Sequence, residues 1–439
     1  MERSGPQSCA PLALLVRLAA LLAAWPLASS AAADTAEVFE TVPERSAVEL
    51  LPATMIAASD FHVVDPVQGD GLMNRFVLES RFGRFDAYGR LALAMRVREV
   101  AALTELAKMS SIRIVAGGME HGVESEVRIA AGVIRHPVAI VTGIPTGIAH
   151  LFHGYTARAQ EMAADARSSV QPSAKAGDTA HVEVKKGADA AKRYAEHYVG
   201  ITSAERGWYK RLGVDPYTNN AVLRDAVRKA AKIEAAGSFG VKFVGLPAIP
   251  GIAITQRVVD AIYNEDPAAI RARTRKTLAG YGLSPMQIES WLNAPVLSPT
   301  RQALLVSAAE ELKGVTGRAE LFRHSLDLTS DAEAQVYLRS VGLLVLAHGQ
   351  HPLAEVVAGV RLPTATRADG RLVVCGAFEA VYWTEDVAKA EEQLRASLPL
   401  RAKLPGRELW LAGTLSERAH RVLLERGWEL HEVSDAPGS

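Results

Sequence analysis

The spacing of apolar residues divides the chain into segments with different predicted secondary structure. Between residues 47 and 94, apolar and aromatic residues occur in short runs separated by glycine, which is typical of strands joined by tight turns. From Leu93 to Leu106 the apolar residues recur every three or four positions, which predicts an amphipathic helix. A small β-rich N-terminal region followed by a helix is therefore expected.

Proline and capping residues mark predicted helix starts in the middle of the chain. Helices are predicted at 267–279, 285–292, 299–313 and 330–347, and the first three begin at a proline, which the first helical turn tolerates. An earlier helix is expected to end near Gly213, and Thr218 or Asn219 is expected to cap the next one. This middle part of the chain is therefore predicted to be helical.

The C-terminal part of the chain has a different pattern. Asp369-Gly370 between two apolar runs predicts a β-hairpin. A helix at 386–397, a strand at 408–412, a helix beginning near Ser416 and a strand at 428–433 are then predicted. Because the loops of the last strand–helix–strand unit are short, the two strands are expected to be parallel and joined by a helical crossover.

These patterns predict a mostly helical α+β protein built from six segments. They are a signal peptide at 1–33, a β-rich N-terminal region at 34–92, a helical segment with a Gly/Pro-rich apolar stretch at 93–160, a flexible linker at 161–190, a helical domain at 191–350 and a C-terminal α/β unit at 351–439. The linker is predicted because its residues are rich in Ala, Ser, Lys and Asp and lack regularly spaced large apolar side chains.

The N-terminal residues have the composition of an export signal. An apolar run at 11–27 follows Arg3 and ends in small residues before Asp34. Signal peptidase requires small residues at this point, so cleavage is predicted after Ala33 and the mature chain is expected in the periplasm or the outer envelope. An uncleaved anchor is the alternative, although the run is short for a span of about 20 residues.

The charge of the chain excludes one class of protein, the nucleic-acid-binding proteins. The chain has 49 basic and 49 acidic residues, and without residues 1–33 its net charge is about −1. Nucleic-acid binding depends on concentrated positive charge, so no nucleic-acid partner is predicted.

The mature chain retains only Cys375, so the fold must be stabilised by its hydrophobic core and not by an internal disulfide. No cofactor is predicted, because no phosphate-binding glycine motif is present.

Two histidine pairs with the same three-residue spacing are the candidate metal ligands. The pairs are His150 with His153 and His348 with His351. Zinc requires three or four ligands, and no acidic residue stands beside the first pair. The second pair follows a predicted helix end, where a histidine is favoured by the helix dipole. No metal is therefore predicted, and these four residues are the candidates if one binds.

Cys375 lies in an apolar predicted strand and is a candidate nucleophile. A catalytic thiol requires a partly exposed, electropositive setting and a histidine partner, and the chain has 12 histidines that could supply one. His150 and His153 are the other weak candidates for catalytic residues. The alternative is a buried cysteine that packs as a small apolar residue.

Two apolar stretches rich in glycine and proline, 133–152 and 238–255, are long enough to enter a bilayer. Their prolines interrupt backbone hydrogen bonds, and in lipid the freed groups need protein partners. This favours burial within the protein; a membrane or partner surface is a second interpretation and a true span a third. The residues such a surface would use are Val133, Ile140, Ile144, Phe152, Phe239, Phe243 and Leu246.

Three blocks of the sequence are similar to a group of other proteins: AERGWYKRLGVDPYTNNAVL, LSPTRQALLVSAAEELKGV and ELWLAGTLSERAHRVLLERGW. Together they resemble an uncharacterised family of exported bacterial proteins, over about residue 61 to the C-terminus. The resemblance implies export and a bacterial source, and it implies no activity, ligand or catalytic residue.

The predicted function is an exported, non-catalytic cell-envelope protein that acts as a binding or accessory factor. Its expected partner is an unknown envelope protein or a membrane surface. Two alternatives from other classes stay open. One is an envelope hydrolase whose site is assembled from scattered residues, and the other is a membrane-active protein that uses the two Gly-rich stretches.

Overall fold

The computed structural model describes residues 37–109, 151, 200–232, 248–398 and 405–433, and the elements below are numbered within these residues. The described residues from Glu40 onward belong to one compact unit, and every helix and strand of the described residues lies in it. Thirteen helices and several sheets are found among the described residues, with 49% of them helical, which confirms the predicted mixed α+β class. The predicted boundaries between segments stay predictions.

The N-terminal region is an antiparallel sheet in which one strand pairs with three others. The strands are β1 (Ala57–Ala58), β2 (Phe61–Val63), β3 (Gln68–Gly69), β4 (Asn74–Ser80) and β5 (Gly83–Tyr88). Strand β4 pairs with β2, β3 and β5, and β1 pairs with β2. Strands β4 and β5 confirm the predicted strands joined by a tight turn.

The expectation of strands alone across residues 47–94 is wrong at both ends. Two helical turns, α1 (Ala47–Leu50) and α2 (Ala53–Ile56), precede the sheet, and α3 begins at Arg90. Helix α1 forms because the hydroxyl of Ser46 accepts from Val48 N and Asp65 Oδ1 accepts from Ala47 N at 2.6 Å. The contact with Asp65, a residue distant in the sequence, satisfies a free N–H group of this short helix. The spacing of apolar residues does not reveal such a contact.

Helices dominate the middle of the described chain. They are α3 (Arg90–Ala107), α4 (Ser203–Leu212), α5 (Ala221–Lys232), α6 (Gln256–Tyr263), α7 (Pro267–Gly280), α8 (Pro285–Leu292), α9 (Pro299–Glu311), α10 (Ala319–Ser325) and α11 (Asp331–Gln350). The predicted helices at 267–279, 285–292, 299–313 and 330–347 are thus confirmed within a few residues. The cap of α5 is Asn220, whose side chain accepts from Leu223 N at 3.1 Å, so the prediction of Thr218 or Asn219 was wrong by one or two positions.

The C-terminal unit is a mixed five-stranded sheet with the order β12-β10-β8-β7-β6. Its strands are β6 (Leu353–Val356), β7 (Thr364–Arg367), β8 (Leu372–Gly376), β10 (Arg407–Leu411) and β12 (Trp428–Glu432). Strands β8, β10 and β12 are parallel, while β7 is antiparallel to both of its neighbours. The predicted hairpin at Asp369-Gly370 and the predicted parallel pair are both confirmed.

Helices cover both faces of this sheet. The crossover helices α12 (Glu385–Ser397) and α13 (Glu417–Glu425) contribute Leu394 and Leu423 to a small apolar cavity that also receives Leu409 and Trp428. Helix α11 packs against β8 and β10. Two short strands, β9 (Ala380–Val381) and β11 (Thr414–Leu415), pair in parallel beyond the ends of β8 and β10. Within the described ranges, no helix has the length and apolar composition needed to span a bilayer.

Candidate functional site

Open α/β sheets bind ligands at the carboxyl ends of their parallel strands, which in the C-terminal sheet are the ends of β8, β10 and β12. Strand β8 ends at Gly376, and Glu379 lies in the segment that follows it. The N-terminal region covers this edge, because Leu72 O accepts hydrogen bonds from Glu379 N at 2.9 Å and from Ala380 N at 3.2 Å. The candidate site is therefore a covered junction between the two sheets.

A buried polar cluster fills this junction. We call it the Glu379 cluster, and it comprises Asp70, Asn74, Tyr88, Arg90, Arg339 and Glu379. The side chain of Glu379 has no solvent exposure. Its Oε2 accepts from Asn74 Nδ2 at 3.2 Å, its Oε1 accepts from Arg90 N at 2.5 Å, and Arg339 Nη1 lies 3.6 Å from Oε1. Three elements thus meet at one carboxylate: β4, the start of α3, and α11.

Two glycines allow this close approach. Gly89 has φ +89°, and a Cβ added there would lie 2.9 Å from Glu379 Oε1 and 2.7 Å from the Met73 side chain. A Cβ added at Gly413, after β10, would lie 2.0 Å from Glu379 O. Because any larger residue would displace the backbone or the carboxylate, both positions require glycine.

Asp70 and Tyr88 form the second half of the cluster. Tyr88 Oη donates to Asp70 Oδ2 at 2.5 Å, and Asp70 Oδ1 accepts from Leu72 N at 2.9 Å and Met73 N at 2.8 Å. Burial raises the pKa of Asp70, although its hydrogen bonds act in the opposite direction. Burial and the nearby Asp70 both raise the pKa of Tyr88, so the phenol stays protonated and acts as a hydrogen-bond donor.

A second buried pair lies on the sheet face that contacts α11. Arg367 donates to both oxygens of Glu408 at 2.7 Å, and Trp410 Nε1 donates to Glu408 Oε2 at 3.0 Å. Burial acts to raise the pKa of Glu408, yet the hydrogen bonds from Arg367 and Trp410 hold it below its ordinary value. Arg367 also donates to the carbonyl of His351, which gives a carbonyl at the C-terminal end of α11 the hydrogen-bond partner that the helix itself cannot supply.

Cys375, the candidate nucleophile, lies in β8 beside this pair and is fully buried. Burial and the charge of Glu408 raise the pKa of its thiol well above the ordinary value. Such a thiol holds very little thiolate at neutral pH, and thiolate is the reactive form. In this conformation Cys375 packs as a small apolar side chain of the sheet.

His348 and His351, the second histidine pair, lie at the end of α11. His348 Nδ1 accepts from Leu353 N at 3.1 Å, and burial lowers its pKa. His351 occupies the C-cap position, where its N–H donates to Ala347 O. Within the described ranges, no group of three or more His, Cys, Asp or Glu side chains is arranged to hold a metal ion.

The remaining candidate residues lie outside the part of the chain that the structure describes. They are His150, His153, Val133, Ile140, Ile144, Phe152, Phe239, Phe243 and Leu246. The predictions made for them stay predictions.

The end of the second Gly-rich stretch is described, and it packs inside the protein. Ile249 and Ile252 are buried, and Gly251, at φ +77°, lies so close to α11 that an added Cβ would be 1.9 Å from Gly342 O. A Cβ added at Gly342 would in turn be 2.2 Å from Pro250 O. For this part of the stretch, glycine permits direct contact between two backbones, as the burial interpretation expects.

Two of the sequence blocks behind the family resemblance meet in a third polar cluster. Asp215 Oδ1, in the first block, accepts from Thr300 Oγ1 of the second at 2.7 Å. The first block also contacts α3, where Glu99 accepts from the Thr218 hydroxyl and from Asn220 Nδ2 at 3.0 Å. The blocks therefore fix the packing of α3, α5 and α9.

Helices α4 and α5 carry a concentration of positive charge that whole-chain averages concealed. We call this the basic surface, and it comprises Arg206, Lys210, Arg211, Arg224, Arg228, Lys229 and Lys232. Three of these residues follow a four-residue spacing on α5, which places them on one side of the helix. This spacing is visible in the sequence, but the balanced total charge of the chain gives no sign of it.

Comparisons with protein-family models, with curated proteins and with solved structures find no match to this chain. The resemblance to exported bacterial proteins accordingly stays a prediction.

Proposed function

We propose that the chain is an exported, non-catalytic protein of the cell envelope that acts as a binding or accessory factor and associates peripherally with a membrane surface. Export is supported by the apolar run at 11–27 and the small residues before Asp34. The non-catalytic binding role is supported by the hydrogen bonds that the buried acidic residues accept from other parts of the fold.

The observation that carries the proposal is that three buried carboxylates each accept hydrogen bonds from other elements of the fold. Glu379 binds Asn74 and Arg90, Glu408 binds Arg367, and Glu99 binds Asn220. A catalytic acid or base must reach a substrate proton, whereas these groups are engaged in holding helices and strands together. Their arrangement favours a rigid protein that binds a partner through its surface and does not catalyse a reaction.

Cellular fractionation of a C-terminally tagged chain tests the proposal. The protein is expected in the envelope fraction with Asp34 as its N-terminal residue, and a control that lacks residues 1–33 is expected to remain inside the cell. Recovery of the full-length tagged chain with an intact N-terminus from the cytoplasm would contradict the proposal. N-terminal sequencing distinguishes the cleaved form from an uncleaved anchor.

A further inference from the structure

We infer that the basic surface on α4 and α5 binds the phosphate-bearing headgroups of an anionic phospholipid bilayer. The inference rests on the proposed function and deepens it by naming the contact surface and the class of partner. Three observations support it: the local charge, the contacts of the acids in the same segment, and the geometry of α5.

The local charge is strongly positive in a chain that is neutral overall. Residues 203–232 contain seven Lys or Arg and three Asp or Glu, while the whole chain has 49 of each class. Positive charge on one surface attracts anionic lipid even when the total charge is zero, because screening limits the interaction to about 8–10 Å at physiological salt.

The three acids among residues 203–232 neutralise only part of this charge. Asp215 is engaged internally by the hydroxyl of Thr300 and the N–H of Tyr217. The other two acids, in α4 and α5, each face one cation: Glu205 lies 3.7 Å from Arg228, and Asp225 lies 2.7 Å from Lys229. Among the described residues, no carboxylate forms an ion pair with Arg206, Lys210, Arg211, Arg224 or Lys232.

Helix α7 is also rich in cations, but its cations are paired differently from those of the basic surface. In α7, Arg273 lies 2.6 Å from Glu265 and Arg275 lies 2.6 Å from Glu289. Its arginines are therefore neutralised by neighbouring acids, whereas most cations of the basic surface are not.

The geometry of α5 presents its cations in a row. Arg224, Arg228 and Lys232 are separated by four residues each, so they follow one side of the helix over about 12 Å. The core-facing side holds Leu223 and Val227, both fully buried, which fixes the orientation of the helix. A row of this kind matches a flat surface of phosphate groups.

The proposed location of the chain favours lipid over other polyanions. An exported chain meets the phosphate groups of lipid headgroups, whereas nucleic acid is a cytoplasmic partner.

Vesicle sedimentation with the purified mature chain, residues 34–439, tests the inference. The probes are vesicles of phosphatidylcholine alone and vesicles of phosphatidylcholine and phosphatidylglycerol in equal parts. The chain is expected to sediment with the mixed vesicles only, and its binding is expected to weaken as salt is raised. Equal binding to both kinds of vesicle would overturn the inference.

Two triple variants with the same net charge sharpen the test. The variant R224Q/R228Q/K232Q removes the row on α5 and is expected to bind the mixed vesicles at least about tenfold more weakly, since each cation near the surface contributes roughly fivefold. The control K108Q/K276Q/K389Q removes three exposed cations elsewhere and is expected to bind as the unchanged chain does. Equal losses in the two variants, with circular dichroism showing both folded, would refute the surface assignment.

Competition separates the sources of phosphate. Inorganic phosphate at the concentration of the lipid phosphate is expected to displace the chain poorly, because a bilayer engages several cations at once. Strong binding to a DNA duplex without binding to the mixed vesicles would overturn the inference. An envelope location in cells combined with no vesicle binding would reject this inference and leave the proposed function standing. Vesicle binding by a chain that stays in the cytoplasm would reject the proposed function instead.

Discussion

Glu379 and Asn74 form a buried hydrogen bond of 3.2 Å between side chains that are 305 positions apart in the chain. The bond joins the N-terminal sheet to the segment that follows β8, and Arg339 of α11 lies against the same carboxylate. A single acidic side chain therefore fixes three parts of the fold relative to one another.

Replacement of Glu379 with alanine is expected to destabilise the protein strongly. The change leaves the buried guanidinium of Arg339 without this carboxylate, and breaking a buried ion pair in this way costs about 3–5 kcal/mol. Urea unfolding followed by circular dichroism measures the effect. Glu429→Ala is the matched control, because Glu429 is 52% exposed and its ion pairs contribute about 1 kcal/mol or less. A loss at Glu379 no larger than at Glu429 would show that the cluster does not hold the fold together.

Gly251→Ala is expected to cost about 2–4 kcal/mol of unfolding free energy. The added methyl meets Gly342 O, and alanine is also strained at φ +77°. Thermal unfolding compares this variant with Gly207→Ala in α4, where an added Cβ meets nothing within 4 Å. The control substitution is expected to be neutral or to stabilise the helix by up to about 1 kcal/mol. Similar melting temperatures for the two variants would contradict direct backbone contact between this turn and α11.

His324 is expected to make the protein less stable in acid. It is 1% exposed, and burial, with help from Arg323 and Arg361, lowers its pKa from 6.5 to about 3. Between these two values the unfolded chain binds a proton that the folded protein excludes, so stability falls as pH drops below 6.5. The contribution of this residue is about 2 kcal/mol between pH 7 and pH 5.

Urea unfolding of the unchanged chain and of His324→Gln at these two pH values checks this linkage. The variant has a lower stability at pH 7, because a buried side chain has been changed, but its loss between pH 7 and pH 5 is expected to be smaller. The comparison therefore uses the difference between pH values and not the absolute stability. An unchanged pH dependence in His324→Gln would show that another group is responsible.

Cys375 is expected to be unreactive in the folded mature chain, residues 34–439, which lacks Cys9 and is the unchanged chain of this test. Its thiol is fully buried and its pKa is raised, so a disulfide reagent such as dithiobisnitrobenzoate should label it only after unfolding in urea. Leu424→Cys supplies the matched control, because Leu424 is 47% exposed on α13. That variant is expected to show one rapidly labelled thiol under native conditions. Rapid labelling of the unchanged chain would restore Cys375 as a candidate nucleophile.

Local signals in the sequence were sufficient for much of the fold. Helix α8 was predicted with its observed bounds, Pro285–Leu292, from the proline in its first turn, and in the structure Ser284 and Gln287 form a capping box at the same start. The hairpin between β7 and β8 followed from Asp369-Gly370, and Gly370 does adopt a positive φ of +89°. In each case the decisive contacts lie within a few residues of one another.

The candidate site could not be predicted in the same way. Glu379 has no motif around it, and its partners Asn74, Arg90 and Arg339 lie far away in sequence. The Asp65 contact that starts α1 is likewise 18 residues distant. Such contacts depend on how the sheets and helices come together, which apolar spacing does not encode. The basic surface differs, because the spacing of Arg224, Arg228 and Lys232 was readable and was hidden by averaging charge over the chain.

We propose that the chain is exported and is held to a membrane of the envelope by the charge of its basic surface. Washing isolated membranes with high salt, and separately with alkaline carbonate, tests it most directly. The chain is expected to sediment with membranes at low salt and to be released by both washes, as a peripheral protein is. Retention in the membrane pellet after carbonate would contradict it, because only a chain inserted in the bilayer resists that treatment.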